Sequence, residues 1–208
     1  MKAIRYREFG PPDVMTLDEV ADPRPGAGEV MVRLQASGVN NTDTKARSGT
    51  ATYRAGIQFP AMLGREGAGI VEAVGAGVSV VAPGDRVLIR EPAYTYAELT
   101  CAPVDSIYRL PDGLSTVDAA TIAVTYATAW DAVVNQTKVQ PGETVLVQAA
   151  ASGVGIASVQ IAKHVGARVI GTASSTDKLE WAATHGMDAG INYAEKDFVE
   201  EVKALTGG

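Results

Sequence analysis

The sequence predicts an α/β protein with a β-rich first domain, followed by strands and helices that alternate. In residues 1–110, dense Gly and Pro turns separate short β-rich runs. Residues 117–134 are alanine-rich and read as helical. Beyond Pro141 an apolar strand passes almost directly into a helix, and the alternation then repeats. Such a series is typical of a doubly wound parallel sheet.

The punctuation of the first part predicts its individual elements. Strands are expected over residues 29–35, 69–74 and 86–89, each bounded by turn residues. Ser115, with Asp118 three positions later, predicts the capped start of a helix. We place the domain boundary within residues 118–128, which gives a first domain of residues 1–122 and a second of 123–208.

The second part is organised around residues 144–155, where the predicted strand turns into a helix over 154–165. This helix has one apolar face and is expected to end at Gly166. The face comprises Val154, Ala157, Ile161, Ala162 and Val165. Further strands are predicted at 168–172 and 190–193, and further helices at 176–185 and 197–205.

Composition excludes several classes of function. The formal net charge of −6 argues against a nucleic-acid or anionic-membrane partner, because both favour clustered Lys and Arg. Cys101 is the single cysteine, so the chain can form no internal disulfide. The N-terminal residues lack the apolar core of a signal peptide, and no apolar run has the length of a membrane span. We therefore expect a cytoplasmic protein.

Residues 150–155, Ala-Ala-Ser-Gly-Val-Gly, occupy the positions of the dinucleotide-binding fingerprint, with Ala150 and Ser152 in place of its first two glycines. In a dinucleotide site, Ser152, Gly153 and Val154 would present N–H groups to phosphate oxygens. Gly155 would allow close packing of helix against strand. The alternative is a tight strand-to-helix turn that binds no ligand.

The end of the second strand bears on the choice of dinucleotide. An NAD site expects a carboxylate there, whereas residues 172–175 read Thr-Ala-Ser-Ser. The Ser174 hydroxyl and the Lys178 cation suit a 2′-phosphate, which favours NADPH. In the alternative, Ser174 or Ser175 caps the next helix and Lys178 is a solvated surface residue. Asp177 would favour NAD if the strand ended slightly later.

Several short motifs occur in order along nearly the whole chain. They are Gly38-Val39-Asn40, Gly64-Arg65-Glu66-Gly67, Pro83-Gly84-Asp85-Arg86-Val87, Thr128-Ala129-Trp130 and Ser152-Gly153-Val154-Gly155. Together they resemble the medium-chain dehydrogenase/reductase superfamily, in particular its zinc-independent quinone oxidoreductase (zeta-crystallin-like) branch. The resemblance implies a GroES-like β domain followed by the first half of a Rossmann doubly wound parallel sheet.

The resemblance also implies site residues. Asn40 and Thr128 would lie beside the nicotinamide or the substrate, and Tyr53 would line the acceptor pocket as a second catalytic residue after Asn40. Lys178 and Tyr193 match the positions that hold the 2′-phosphate of NADPH. The alternatives are a turn residue for Asn40, a helix residue bonding to its own turn for Thr128, and a loop aromatic for Tyr53.

Zinc-dependent relatives carry Cys and His where this sequence has Asn40 and Arg65. Catalytic zinc needs about three Cys, His or carboxylate ligands, so no metal site is expected here. His164 and His185 are expected at the solvent faces of helices. Arg65 would either favour an anionic or strongly polar acceptor or pair with Glu66 or Asp43.

The implied reaction is hydride transfer from NADPH to a small molecule such as a quinone, an enone or an aldehyde. A homodimer is expected for the full-length parent. The roughly 65 residues after Pro141 suffice for only one mononucleotide-binding half, so we expect weak cofactor binding by this chain alone. The alternatives are a non-catalytic NADPH-binding or structural protein, or an inactive fragment of the enzyme.

Overall fold

The computed structural model describes residues 1–52, 54–90 and 94–208 of the 208-residue chain. The chain divides into two compact units, Met1–Val124 and Thr125–Gly208. The first unit has two sheets and the second has one, and each unit has its own buried apolar residues.

The first unit is built from antiparallel strands. They are β1 (Lys2–Tyr6), β2 (Met15–Glu19), β3 (Glu29–Ser37), β4 (Ala61–Met62), β5 (Glu66–Val74), β6 (Arg86–Arg90), β7 (Leu99–Pro103) and β8 (Ile107–Arg109). Within the described residues, one sheet has the order β7-β3-β5-β6-β8 and a smaller sheet has the order β2-β1-β4. The larger sheet is curled and corresponds to the expected GroES-like half-barrel.

Alternating side chains on β3 explain how the larger sheet buries one face. Val30 and Val32 are fully buried, whereas Arg33 on the same strand is exposed and pairs with Glu72 of β5 at 2.7 Å. Register shifts between β3 and β5 at Met31/Val32 and Leu34/Ala36 bend the strands, as bulges do. The core beneath comprises Val30, Val32, Val71, Val81, Val87, Ile89 and Ala102.

Two helices of the first unit have well-defined ends. Helix α1 (Asn41–Ser48) follows Asn40 and ends at Gly49, whose φ of 74° is the left-handed conformation that glycine favours. Helix α2 (Thr116–Ala119) is capped by Ser115, whose side chain accepts from the Asp118 N–H at 3.0 Å. The cap predicted at Ser115 is therefore confirmed.

The second unit contains the parallel strands β9 (Thr144–Val147), β10 (Arg168–Ala173) and β11 (Ala189–Asn192), in the order β11-β10-β9. Helices α4 (Gly153–Val165) and α5 (Thr176–Thr184) connect them, and α6 (Phe198–Thr206) follows β11. Helix α3 (Ala123–Trp130) begins with the last two residues of the first unit and continues as a π-helical segment, Asp131–Gln136. The predicted α/β class and the first half of a doubly wound sheet are confirmed.

Helix α4 supplies much of the core of the second unit. Ala157, Ile161 and Ala162 are buried as predicted, and α4 ends at Gly166, with φ of 95°. Val154 is 38% exposed, so its assignment to the buried face is wrong. It belongs to the first turn of α4, where Ser152 and Gly153 are exposed as well.

The remaining predicted elements of the second unit agree with the observed ones to within about two residues, the usual uncertainty of element ends. His164 is exposed on α4, and His185 is half-buried at the end of α5. In the ranges that the structure describes, no helix is both long and apolar enough to cross a membrane.

Candidate functional site

The connection between β9 and α4 is a hydrogen-bonded turn rather than a direct passage. The strand ends at Val147, and residues 148–152 form the turn, where the sequence predicted almost no connection before the helix. The Ala150 N–H donates to the Thr172 carbonyl on β10 at 2.9 Å, and the Ser152 N–H donates to the Ala149 carbonyl at 2.9 Å. Ala149 has a φ of 50°, which is unusual for a residue with a side chain.

Gly155 allows α4 to approach this turn closely. A Cβ at position 155 would lie 2.3 Å from the Ala149 carbonyl oxygen and 2.8 Å from the carbonyl carbon of Ala150. Ala150, at the first glycine position of the fingerprint, is itself fully buried. The neighbouring Gly171 leaves room for the Ala150 side chain, because a Cβ at position 171 would lie only 2.7 Å from Ala150 Cβ.

The first turn of α4 contains backbone N–H groups that remain available to a ligand. Ser152 uses its hydroxyl to accept from the Gly155 N–H at 3.0 Å, and its own N–H is engaged within the turn. Ser152 thus shapes the turn and has no N–H left for a phosphate. For the N–H groups of Gly153 and Val154, the part of the chain that the structure describes provides no acceptor. These donors and the helix dipole favour an anion at this end of α4.

Three other predicted site residues lie together at the carboxyl ends of β10 and β11. The Lys178 ammonium donates to the Ser174 hydroxyl at 3.0 Å, one helical turn apart. The Tyr193 N–H donates to the Ala173 carbonyl at 3.1 Å, which fixes Tyr193 beside the residue that precedes Ser174. Lys178 and Tyr193 are both exposed and available to a ligand.

Two residues bear on the alternatives for this strand end. Ser175 occupies the N-cap position of α5 but makes no side-chain capping bond, so capping does not explain the pair of serines. Asp177 is exposed in the first turn of α5, where a carboxylate complements the helix dipole. It does not lie at the strand end. Thr128 is exposed on α3.

In the first unit, Asn40 is held between two buried carboxylates. Its backbone N–H donates to Asp43 Oδ2 at 2.8 Å, and its side-chain Nδ2 donates to Glu66 Oε1 at 2.8 Å. Asp43 is 3% exposed and Glu66 is 1% exposed. Asn40 is thus the N-cap residue of α1 and also part of a buried polar network.

Each carboxylate is satisfied by further donors. Asp43 accepts from the Tyr96 hydroxyl at 3.2 Å and the Gly64 N–H at 3.3 Å. Glu66 Oε2 accepts from the Val124 N–H at 2.8 Å. Burial, and secondly the Asp43 carboxylate, raise the pKa of Tyr96 above its ordinary value, so this hydroxyl remains a donor.

A cavity of about 790 Å³ opens beside this network. Arg65, half-buried, lies on its wall together with Asp43, and most of the remaining wall is apolar. The apolar and aromatic lining residues are Tyr6, Ala46, Ile57, Pro60, Ala61, Met62, Leu63 and Tyr94. Tyr53, the predicted acceptor-pocket residue, lies outside the described residues.

The residues present do not suit catalytic zinc. Asn40 carries a neutral amide, which is not among the usual zinc ligands, and Arg65 is a cation. Among the described residues there is no group of three His, Cys, Asp or Glu side chains that could hold a metal ion.

Sequence reasoning missed the structural part played by Asp43, Glu66 and Tyr96. Glu66 stands in an otherwise small and apolar strand, Glu66-Gly67-Ala68-Gly69, and that isolated acid was the available signal. Its partners, Asn40 and Val124, are distant in sequence, so the network itself has no local pattern.

Both units match known protein families. Residues 26–112 match a family model described as "Alcohol dehydrogenase GroES-like domain", and residues 153–208 match one described as "Zinc-binding dehydrogenase". A solved structure of an NAD-dependent alcohol dehydrogenase is 38% identical, with a TM-score of 0.93, over the whole chain and 68% of that protein. The chain belongs to the medium-chain dehydrogenase/reductase superfamily.

Within this superfamily the chain resembles quinone oxidoreductases. It is 38% identical to the quinone oxidoreductase of Pseudomonas aeruginosa, over the whole chain and 63% of that protein. The structure of Escherichia coli quinone oxidoreductase complexed with NADPH is 35% identical, with a TM-score of 0.92, over the whole chain and 63% of that protein. The chain thus spans under two thirds of the length of these quinone oxidoreductases.

Proposed function

We propose that this member of the superfamily is part of an NADPH-dependent oxidoreductase that passes hydride to a quinone or an activated alkene or carbonyl without zinc. The observation that carries the proposal is the cluster of Ser174, Lys178 and Tyr193 at the carboxyl ends of β10 and β11. A hydroxyl, an ammonium and a phenol suit a 2′-phosphate, and the strand end offers it no opposing carboxylate. The NADPH complex of the E. coli relative supports the same cofactor.

The chain's own groups would divide the binding of NADPH between them. The free N–H groups of Gly153 and Val154 would receive the pyrophosphate, and Gly155 lets the turn come close enough. Lys178 and Tyr193 would hold the 2′-phosphate, with Ser174 keeping the ammonium in place. When bound, NADPH supplies the hydride, and the protein supplies alignment and exclusion of water.

We propose the cavity of the first unit as the acceptor site. Its apolar wall suits the body of a quinone or enone, and Arg65 and Asp43 supply the polar side. Asn40 and Thr128 would lie beside the nicotinamide or the acceptor, with Tyr53 completing the pocket. We assign residues 1–122 to the catalytic and substrate domain and residues 123–208 to the NADP-binding domain.

The acceptor assay uses the intact protein and follows NADPH oxidation at 340 nm with a quinone, an enone and an aldehyde, with and without a metal chelator. Turnover with at least one acceptor, unchanged by the chelator, is expected. NADPH binding without oxidation of any acceptor would favour the non-catalytic alternative. Loss of activity with the chelator would contradict zinc independence.

Cofactor choice is tested by Lys178→Ala. Its NADPH affinity should fall about ten- to a hundredfold, the worth of a charge-assisted hydrogen bond of roughly 1.5–3 kcal/mol. NADH affinity should not change, because NADH has no 2′-phosphate. Lys203→Ala removes the same charge from α6, where Lys203 pairs with Glu200 at 2.9 Å, and serves as the control. Equal weakening of both cofactors by Lys178→Ala would refute the assignment and leave the NAD alternative.

We also propose that the full-length protein is a cytoplasmic homodimer without a nucleic-acid or membrane partner. The net charge of −6 supports the absence of polyanionic partners, since it repels phosphate backbones.

A further inference from the structure

The buried carboxylate of Glu66 contacts the predicted site residue Asn40 and need not contact a ligand itself. Glu66 is the first residue of β5 and is 1% exposed. Its two carboxylate oxygens have different partners. Oε1 accepts from Asn40 Nδ2, and Oε2 accepts from the backbone N–H of Val124, both at 2.8 Å. Space for this carboxylate depends on Gly38, where a Cβ would lie 2.4 Å from Glu66 Oε1.

The chemistry of these partners leaves one arrangement of the Asn40 amide. A carboxylate only accepts hydrogen bonds, so the amide must turn its NH₂ group toward Glu66. Its carbonyl oxygen, Oδ1, is then directed away from Glu66. The opposite rotamer would set Oδ1 against a carboxylate oxygen inside a buried site, which is strongly unfavourable.

We propose that Glu66 is a positioning residue, which fixes the Asn40 amide so that Oδ1 faces the bound ligand as a hydrogen-bond acceptor. Asn40 then selects a donor group on that ligand, a class that includes the primary carboxamide of a nicotinamide. The inference rests on the proposed function, because it assumes that Asn40 borders the cofactor or the acceptor. The same carboxylate holds the Val124 N–H in the first turn of α3, the helix that carries Thr128.

Glu66→Gln reverses the amide without changing the shape of the site. The Val124 N–H can only donate, so it requires the carbonyl oxygen of the new glutamine. The glutamine NH₂ group must then face Asn40, whose amide has to rotate and offer Oδ1 inward. The ligand would meet an NH₂ group where it previously met an acceptor.

The exchange variant Asn40→Asp/Glu66→Gln restores the original pattern with the partners interchanged. The glutamine NH₂ donates to one oxygen of the aspartate, and the second aspartate oxygen faces outward as an acceptor. Net charge is unchanged. The single variant Asn40→Asp instead sets two carboxylates against each other and has no such compensation.

The experiment measures kcat/KM with NADPH, the NADPH dissociation constant and the urea unfolding midpoint for the intact wild-type protein and all three variants. Glu66→Gln is expected to lower kcat/KM about tenfold, and the exchange variant is expected to recover part of this loss and to exceed both single variants. Losses that simply add in the exchange variant would overturn the proposal, and so would a Glu66→Gln protein with wild-type kcat/KM. If Glu66→Gln alone folds poorly, the exchange variant must still fold and turn over, and its failure also refutes the inference.

A second readout needs no activity. The side-chain ¹⁵N–¹H resonances of Asn40, identified by their loss in Asn40→Asp, should include one proton shifted by the hydrogen bond to Glu66. That shift should disappear in Glu66→Gln, and wild-type resonances in this variant would overturn the proposal. If the wild-type protein does not oxidise NADPH, the proposed function fails, whereas these resonances still judge the orientation.

Discussion

Gly153 and Gly155 are two positions apart in α4, yet their surroundings differ sharply. A Cβ at position 155 would lie 2.3 Å from the Ala149 carbonyl oxygen, a distance that backbone must move to relieve. A Cβ at position 153 would find its nearest atom, Cγ2 of Thr125, at 3.4 Å. Glycine is therefore required at position 155, where a side chain would collide with the backbone, whereas position 153 has room for a methyl group.

Gly155→Ala should lower the free energy of unfolding by about 1–3 kcal/mol, the usual cost of forcing a methyl group into packed surroundings. Gly153→Ala should be neutral, or stabilising by about 0.4–1 kcal/mol through lower entropy of the unfolded chain. Urea denaturation of the two variants beside wild type measures both values. Equal destabilisation by the two substitutions would contradict this account of Gly155.

At the scale of secondary-structure elements, one carboxylate joins α4 to two strands. Asp188, just before β11, accepts from the Lys163 ammonium of α4 at 2.8 Å and from the Val169 N–H of β10 at 2.7 Å. Lys163, and secondly the Val169 N–H, lower the pKa of Asp188. A carboxyl whose pKa is lowered by folding stabilises the protein above its unfolded pKa, and this contribution is lost as pH falls through the folded value.

Asp188→Asn should therefore destabilise the protein at neutral pH and have a diminishing effect in acid. The asparagine keeps an oxygen for the Val169 N–H but loses the ion pair, which is partly exposed and worth at most about 1 kcal/mol. Unfolding free energies measured from pH ~7 down to ~3 test this, because the unfolded carboxyl titrates near 4. In a Lys163→Met background the effect of Asp188→Asn at pH 7 should shrink, and an undiminished effect would argue against the ion pair as its cause.

Elements with local signals could be predicted from the sequence, and contacts between distant residues could not. Ser115 with Asp118, and the stop at Gly166, are local patterns that gave the observed helix ends. The turn of residues 148–152 escaped prediction because the bond from its Ala150 N–H to the Thr172 carbonyl of β10 joins residues that are distant in sequence. Glu66 and its partners escaped for the same reason. Lys178 and Ser174, one helical turn apart, were within reach of sequence reasoning.

At the scale of the whole molecule, aromatic residues report on the units separately. The two tryptophans of the chain are Trp130 and Trp181, and both belong to the second unit, Thr125–Gly208. They are 50% and 48% exposed, so unfolding should change their emission less than that of fully buried tryptophans. Tryptophan emission nevertheless follows the second unit alone, whereas far-ultraviolet circular dichroism follows both.

NADPH should stabilise the transition detected by tryptophan, because in our proposal it binds the folded second unit and not the unfolded chain. At a hundred times the dissociation constant, the gain is about 2.7 kcal/mol. Thermal melts in which NADPH and NADH are compared, recorded by both methods, measure it. A tryptophan transition that is insensitive to NADPH, while circular dichroism shifts, would assign the binding to other parts of the protein.

The contact between Ala150 and Gly171 has a consequence for how such chains diverge. Gly171 on the adjacent strand leaves space for two side chains, since a Cβ there would lie 2.7 Å from Ala150 Cβ and 2.3 Å from Met187 Sδ. Positions 150, 171 and 187 therefore share one volume, and we expect a larger residue at 171 among relatives only where 150 and 187 both carry smaller side chains. A search for the fingerprint glycines alone therefore overlooks chains that, like this one, carry alanine at the first of those positions and glycine on the adjacent strand.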